Sequence, residues 1–437
     1  MRRIIYIFWV CFFILPTLSA QTLNDPNLSS QFTMTGFLPT GLTFLNNYNT
    51  DFFVIEKNTG FVRSRIGGTF AIPLDLPVNT LSERGGLGIA VDPNFYQNGF
   101  VYIYYSRDSS GTDTSIDSNW TDNRLSRFTY NGTNLVNETV LVSFPRDAAQ
   151  NNGANHDGGP VRFGPDGKLW GTTGDLNRNR AEQNNLAQAS TSAGTGGTYR
   201  LNPDGSIPND NPFLSNGNNA FHKWATYGNR NTFGMAFDPV TNHLWITENG
   251  PSNYDEINRV TLGFNSGWDT VMGPISRSGF TTNDLVHLSG TSTYSDPEFS
   301  FFNTIGITAI GFLYGSNWGP SYDNAVLVGD NNTGRLYLFR LNAARDGFVL
   351  PPGVGLDDLV ADNAAEVNQL VFGTGFGVVT DIRVGPDGNV YVTSLSQNGV
   401  FRITAVPEPG TLALIGLASS AGFGMLWQCR SQRSRRT

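Results

Sequence analysis

Hydrophobic and polar positions along the chain repeat one short pattern: an apolar run meets a turn of Pro, Asp and Gly, and an alternating, aromatic-rich run follows. It occurs at Val91-Asp92-Pro93 before residues 100–105, at Phe163-Gly164-Pro165-Asp166-Gly167 before Leu169-Trp170, and at Phe237-Asp238-Pro239 before Leu244-Trp245-Ile246. Val384-Gly385-Pro386-Asp387-Gly388 before Val390-Tyr391-Val392 repeats it again. A further copy without the proline joins Ala325-Val326-Leu327-Val328 to Arg335-Leu336-Tyr337-Leu338-Phe339. Period-two alternation bounded by such turn residues reads as strand, turn, strand. Almost no stretch carries a helical period. Units spaced by tens of residues predict an all-β fold, a six-bladed β-propeller over residues 33–404 in which each blade buries its faces against its neighbours. A two-sheet sandwich fits less well. The polar stretch at 179–197 reads as a long insertion above one blade, where loops tend to carry function.

Composition narrows the partners. The 437 residues include 50 Gly and 22 Pro, as expected of a turn-rich globular chain with a sizeable core. The formal net charge is −8, and without Arg2, Arg3, Arg430, Arg433, Arg435 and Arg436 the remainder carries −14. A body that acidic repels phosphate backbones, which argues against nucleic acid as a partner. Only Cys11 and Cys429 occur, both outside the predicted propeller, so disulfides and thiolate metal sites are excluded there.

The two ends read as targeting segments. Residues 1–20 combine Arg2 and Arg3, an apolar stretch and the small pair Ser19-Ala20 before Gln21, the layout of a secretory signal peptide; a membrane anchor is the alternative. At 406–437, Val406-Pro407-Glu408-Pro409-Gly410 precedes an apolar run ending at Trp427 and the four tail arginines. Such a run can form a transmembrane helix, and the arginines would hold its end in the cytoplasm. Motif, span and basic tail in this order resemble the PEP-CTERM sorting signal. The resemblance implies transient anchoring in the inner membrane, processing by an exosortase-type enzyme, and a final place in the periplasm or at the cell surface; an ordinary C-terminal anchor is the plainer reading.

His156 is the first candidate for chemistry. It is one of four histidines and stands in Asn155-His156-Asp157-Gly158-Gly159, just before a strand, turn, strand unit that ends at Gly174-Asp175. A histidine suits proton transfer near neutral pH, although alone it reads equally as a loop residue with a satisfied hydrogen bond. His222, near the Arg230 strand, is a candidate for the pocket lining, and His243 and His287 suggest no chemistry.

This segment resembles the soluble PQQ-dependent glucose/sorbosone dehydrogenase family, together with Glu83-Arg84-Gly85-Gly86-Leu87-Gly88, Leu201-Asn202-Pro203-Asp204-Gly205, Gly228-Asn229-Arg230-Asn231-Thr232, Thr247-Glu248-Asn249-Gly250-Pro251 and Asp255-Glu256-Ile257-Asn258. The resemblance implies a six-bladed propeller with PQQ and calcium on one face. It places the catalytic base on His156, which would take the anomeric proton of an aldose while hydride passes to PQQ. It places cofactor contacts at Arg230, Asn231, Asn249 and Asp255, with Glu83 where members often have Gln beside the substrate. The carbonyls of Gly250 and Pro251 would hold the calcium at the quinone, and Glu256 a second, structural calcium.

The chain also departs from the family. Asn155 replaces an acid, Asp330-Asn331-Asn332-Thr333-Gly334 lacks a basic residue, and Gly377-Val378-Val379-Thr380-Asp381 lacks an arginine. PQQ carries three carboxylates, so missing cations weaken its binding unless Arg335 or Arg383 compensates. Three readings follow: an exported PQQ- and calcium-dependent sugar dehydrogenase; a non-catalytic propeller binding surface polysaccharide or protein; and a calcium-using hydrolase of the lactonase kind.

Overall fold

In a computed structural model, residues 21–46, 48–146, 153–178, 195–288 and 292–406 are described. The expected signal peptide, almost all of the insertion at 179–197 and the sorting segment beyond Val406 lie outside them. Among the described residues no helix is long and apolar enough to cross a membrane.

The strands form six blades around a central axis. Blade 1 comprises Pro39–Phe44, Phe52–Glu56, Phe61–Ile66 and Thr69–Asp75; blade 2 comprises Gly86–Val91, Phe100–Asp108, Trp120–Tyr130 and Leu135–Pro145. Blade 3 has Val161–Phe163, Leu169–Thr173 and Gly197–Leu201, and blade 4 has Thr232–Phe237, Leu244–Glu248, Asn253–Val260 and Phe299–Asn303. Blade 5 is built from Ile307–Phe312, Ala325–Asp330, Leu336–Leu341 and Val371–Thr374. Blade 6 takes Val379–Val384, Val390–Ser394 and Gly399–Ala405 from the end of the propeller and its outer strand, Leu28–Thr35, from the beginning. That strand pairs antiparallel from Leu28 opposite Ala405 to Thr35 opposite Gly399 and closes the ring. It carries no Pro/Asp/Gly turn, and the sequence pattern starts the propeller inside it.

Packing follows from the ring. Second strands such as Leu169–Thr173, Leu244–Glu248 and Val390–Ser394 are buried along their whole length because a neighbouring blade covers each face. Each junction between adjacent blades has its own apolar cluster. Trp245, Phe301 and Phe339 join blades 4 and 5, Tyr104, Tyr199 and Leu201 join blades 2 and 3, and Leu42, Val54 and Tyr391 close blade 6 on blade 1.

The recurring turn has a physical cause. In three of the four copies its aspartate accepts a hydrogen bond from the aromatic residue of the following strand, Tyr102 Oη to Asp92 at 3.2 Å, Trp170 Nε1 to Asp166 at 3.2 Å, and Tyr391 Oη to Asp387 at 3.0 Å, whereas Asp238 pairs with Arg345 and leaves Trp245 Nε1 without a partner. Gly167 and Gly388 adopt φ of 71° and 73°, which glycine enters without penalty. These turns lie at the end of the ring away from the segments that enter the inner strands. Those entry segments, and the loops joining second to third strands, surround the opposite end of the axis.

Candidate active site

A cavity of about 550 Å³ opens at that opposite end. Glu83, His156, Arg230, Asn231, Asn249, Gly250 and Asp255 all line it, so the structure brings together most of the residues singled out in the sequence. Pro251 and Glu256 do not line it, and neither does His222, whose Nε2 lies 2.9 Å from the Asn216 carbonyl.

His156 is held from three sides. Its φ of 65° is left-handed, and its backbone N–H donates to Glu83 Oε2 at 2.6 Å. Its Nδ1 lies 2.7 Å from Asp175 Oδ1, and Asp175 Oδ2 accepts from Trp268 Nε1 at 2.9 Å. A carboxylate at Nδ1 selects the tautomer with the proton there and leaves Nε2 as an acceptor. Gly174 allows this approach, since a Cβ there would come within 2.3 Å of the His156 carbonyl and 2.7 Å of the Arg230 carbonyl. Behind the ring, Asp157 is buried with Oδ2 unpartnered; burial, and then the charge of Glu83, push its carboxyl up to about 6.

Arg230 enters from the start of blade 4. Its Nη1 donates to the carbonyls of Asn249 at 3.0 Å and Gly250 at 2.9 Å, and its guanidinium carbon stands 5.5 Å from the Trp268 ring centroid. Burial lowers its pKa, and the charges of Asp175, Glu248, Glu83 and Asp255 oppose the shift. Asp255 is a backbone clamp: it accepts from Gly250 N at 3.0 Å and from Ile305 N and Gly306 N at 2.7 and 2.6 Å, tying the blade 4 loop to blade 5. Burial raises its pKa despite those bonds. Asn231 Nδ2 donates to Glu83 Oε2 at 3.2 Å.

Two observations test the site against the group the sequence suggests. Asn231 Oδ1 and Asn249 Oδ1 are buried without a partner beside the cavity, oxygen acceptors suited to a donor or a hard cation. Three cations, Arg230, Lys57 and Arg162, line the same walls, a donor set that suits a compact tricarboxylate. These residues fit PQQ. For calcium, the Gly250 carbonyl already accepts from Arg230, and the orphaned amide oxygens are the open donors. Glu256 is buried, accepts from Gly273 N and from Asn258 Nδ2 at 3.0 Å, and is pushed up by burial and by the charge of Glu248. Among the described residues no group of three or more His, Cys, Asp or Glu side chains could hold a metal ion.

Neither Arg335 nor Arg383, the two residues the sequence left open as compensating cations, reaches the cavity directly. Arg335 Nη1 donates to Asn368 Oδ1 at 3.1 Å at the surface, Arg383 Nε turns to Asp381 Oδ2 at 3.3 Å, and neither lines the cavity. Lys57 and Arg162 line it instead and went unassigned in the sequence, as did Asp175 and Trp268. Lys57 follows the second strand of blade 1, just as Asn249 follows that of blade 4 and Asn331 that of blade 5. Superposing the repeats would have found it, whereas Trp268 has no sequence signal.

Fold and pocket together define a class, a six-bladed propeller with a histidine–carboxylate pair and, at one end, a cavity lined by three cations and three carboxylates. The chain belongs to the glucose/sorbosone dehydrogenase family, whose model matches residues 37–403. A PEP-CTERM protein-sorting motif matches residues 405–431 and implies export and sorting to the cell envelope. The chain is 28% identical over 321 residues to the aldose sugar dehydrogenase YliI of Escherichia coli K12, covering 72% of this chain and 76% of that one. Over 215 residues it is 33% identical to quinoprotein glucose dehydrogenase B of Acinetobacter calcoaceticus, covering 45% of this chain and 42% of the relative. The PQQ-bound aldose sugar dehydrogenase of Streptomyces coelicolor shares the fold, with a TM-score of 0.61 at 20% identity over 86% of this chain and 98% of that one.

Proposed function

We propose that this chain is an exported PQQ- and calcium-dependent sugar dehydrogenase that oxidises an aldose at its anomeric carbon. The observation that carries this reading is His156, locked through Nδ1 by Asp175 and lining a cavity that also holds Arg230. When bound, PQQ supplies the two-electron acceptor and calcium the Lewis acid that polarises it. The chain does the rest. His156 Nε2 takes the anomeric hydroxyl proton, Asp175 stabilises the imidazolium that results, and the sugar leaves as its lactone. Arg230, stacked against Trp268, orients an anionic group, while the Glu83 carboxylate accepts from sugar hydroxyls. The signal peptide at 1–20 and the sorting segment at 406–437 would take the enzyme across the inner membrane to an exosortase-type processing enzyme.

Reconstitution with PQQ and calcium, followed by dye reduction on mixed aldoses, tests this. Activity should appear on reconstitution and fall roughly a hundred- to ten-thousandfold in H156A, the usual share of a general base. PQQ binding without any dye reduction would refute the reading. A second reading, a non-catalytic propeller holding polysaccharide or protein at the envelope, draws on the neutral wall of blades 5 and 6, where Asn331, Asn332, Val378 and Thr380 line the cavity. Polysaccharide retention by a preparation inert toward every aldose would favour it.

A further inference from the structure

Deeper in the cavity, two inner strands are joined across the axis. Arg162 stands in Val161–Phe163 of blade 3 and Asp381 in Val379–Val384 of blade 6, and blades 3 and 6 face each other across a six-membered ring. Arg162 Nη2 donates to Asp381 Oδ1 at 2.6 Å, and both residues line the cavity. The pair therefore bars the central tunnel and forms the cavity floor.

The floor carries more positive than negative charge. Asp381 is 3% exposed and its other oxygen is engaged, accepting from Leu42 N at 3.1 Å and Arg383 Nε at 3.3 Å. Two guanidinium groups thus meet one carboxylate. Arg162 retains donors: its described bonds are one from Nη2 to Asp381 and one from Nη1 to the Val161 carbonyl at 2.9 Å. Its side chain is only 12% exposed, and burial followed by the like charge of Arg383 lowers its pKa to about 9. A partly desolvated cation with spare donors in a cavity floor is stabilised by an incoming anion. The other two cations have less to offer. Lys57 Nζ already donates to the Ser82 and Arg84 carbonyls and to Asn58, and Arg230 is tied to two carbonyls.

We propose that Arg162, backed by Arg383 and set in place by Asp381, is the carboxylate seat of this cavity, and that the carboxylate it receives belongs to PQQ. The choice of PQQ rests on the dehydrogenase reading; the seat itself rests on the floor geometry. Asp381 acts here as a positioning residue, and also as the anion with which the ligand competes.

The test is calorimetric titration of PQQ, with calcium, into the purified full-length protein, R162Q and D381N, with thermal melting of each. A second arm replaces PQQ by gluconate, a sugar carboxylate without a quinone. The seat requires R162Q to bind PQQ roughly ten- to hundredfold more weakly, the weight of one charge-assisted hydrogen-bonding group. It requires D381N to bind more tightly, because the competing carboxylate is gone. A purely structural ion pair would weaken binding in both variants in step with their melting temperatures, and that result overturns the seat. Unchanged PQQ affinity in R162Q also overturns it, while leaving the quinone reading standing. If the unmodified protein ignores PQQ but binds gluconate through Arg162, the seat stands and the quinone reading falls. Binding of neither ligand refutes both.

Discussion

The two halves of the cavity rim are built differently. On the side of blades 2 to 4, Glu83, His156, Arg230 and Asp255 sit in a web of hydrogen bonds in which nearly every carboxylate oxygen has a donor. On the side of blades 5 and 6 the rim residues Thr304, Asn331, Asn332, Val378, Thr380 and Leu395 present no charge, and the one charged lining residue of these blades, Asp381, is paired with Arg162. One half concentrates the charged and titratable side chains and the other offers shape and neutral polarity. The cations outside the charged web come from blades other than 5 and 6, Arg162 from the inner strand of blade 3 and Lys57 from the end of the second strand of blade 1. Charge in this cavity is thus distributed by depth as well as by blade.

The sharpest way to break the contrast is to disarm the charged half without emptying it. In D175N the side chain keeps its volume but no longer holds the proton on Nδ1 of His156. Turnover of the reconstituted enzyme should fall by roughly ten- to a hundredfold while PQQ affinity holds, the effect of losing a partner that orients a working histidine. A loss of PQQ affinity matching the loss of turnover would show that Asp175 merely supports the loop.

Asp157 gives a smaller effect, read in stability. Its folded pKa of about 6 lies above the ordinary aspartate value, so the native state binds the proton more tightly than the unfolded chain does. Stability from this group is greatest at low pH and declines as pH rises from about 4 to about 6, by about 2–3 kcal/mol at full effect. Chemical denaturation at pH 5 and pH 7 should show a smaller pH difference in D157N than in the parent. Equal differences in both proteins would remove Asp157 as the source.

The mildest intervention adds charge to the neutral half. Asn332 is exposed at the rim, and N332K should tighten PQQ only two- to threefold, an effect that disappears at high salt, as expected for a solvated charge. A gain that persists at high salt would mean the neutral wall is a direct partner of the ligand.

The fold was legible because its punctuation is local. The Asp-to-aromatic bonds at Asp92, Asp166 and Asp387 span ten residues or fewer, so they leave a mark in sequence. His156 and Arg230 were legible through segments that also resemble a family. Asp175 was in view as the end of the His156 segment, but its contact needs the fold to bring residue 175 back onto residue 156. Arg162 and Asp381 are 219 positions apart, and only ring geometry sets them face to face. The closing strand Leu28–Thr35 escaped the repeat pattern because it has no turn of its own to mark it.

That strand also bears on the order of events during export. Ser29 and Thr404 meet in blade 6 although 375 positions separate them, so the latch cannot fasten until almost the whole ring has emerged. The sorting motif begins at residue 405, where the latch ends. Severing the tail beyond Val406 would remove none of the pairs between Leu28–Thr35 and Gly399–Ala405, so loss of the sorting motif and integrity of the ring are separable events.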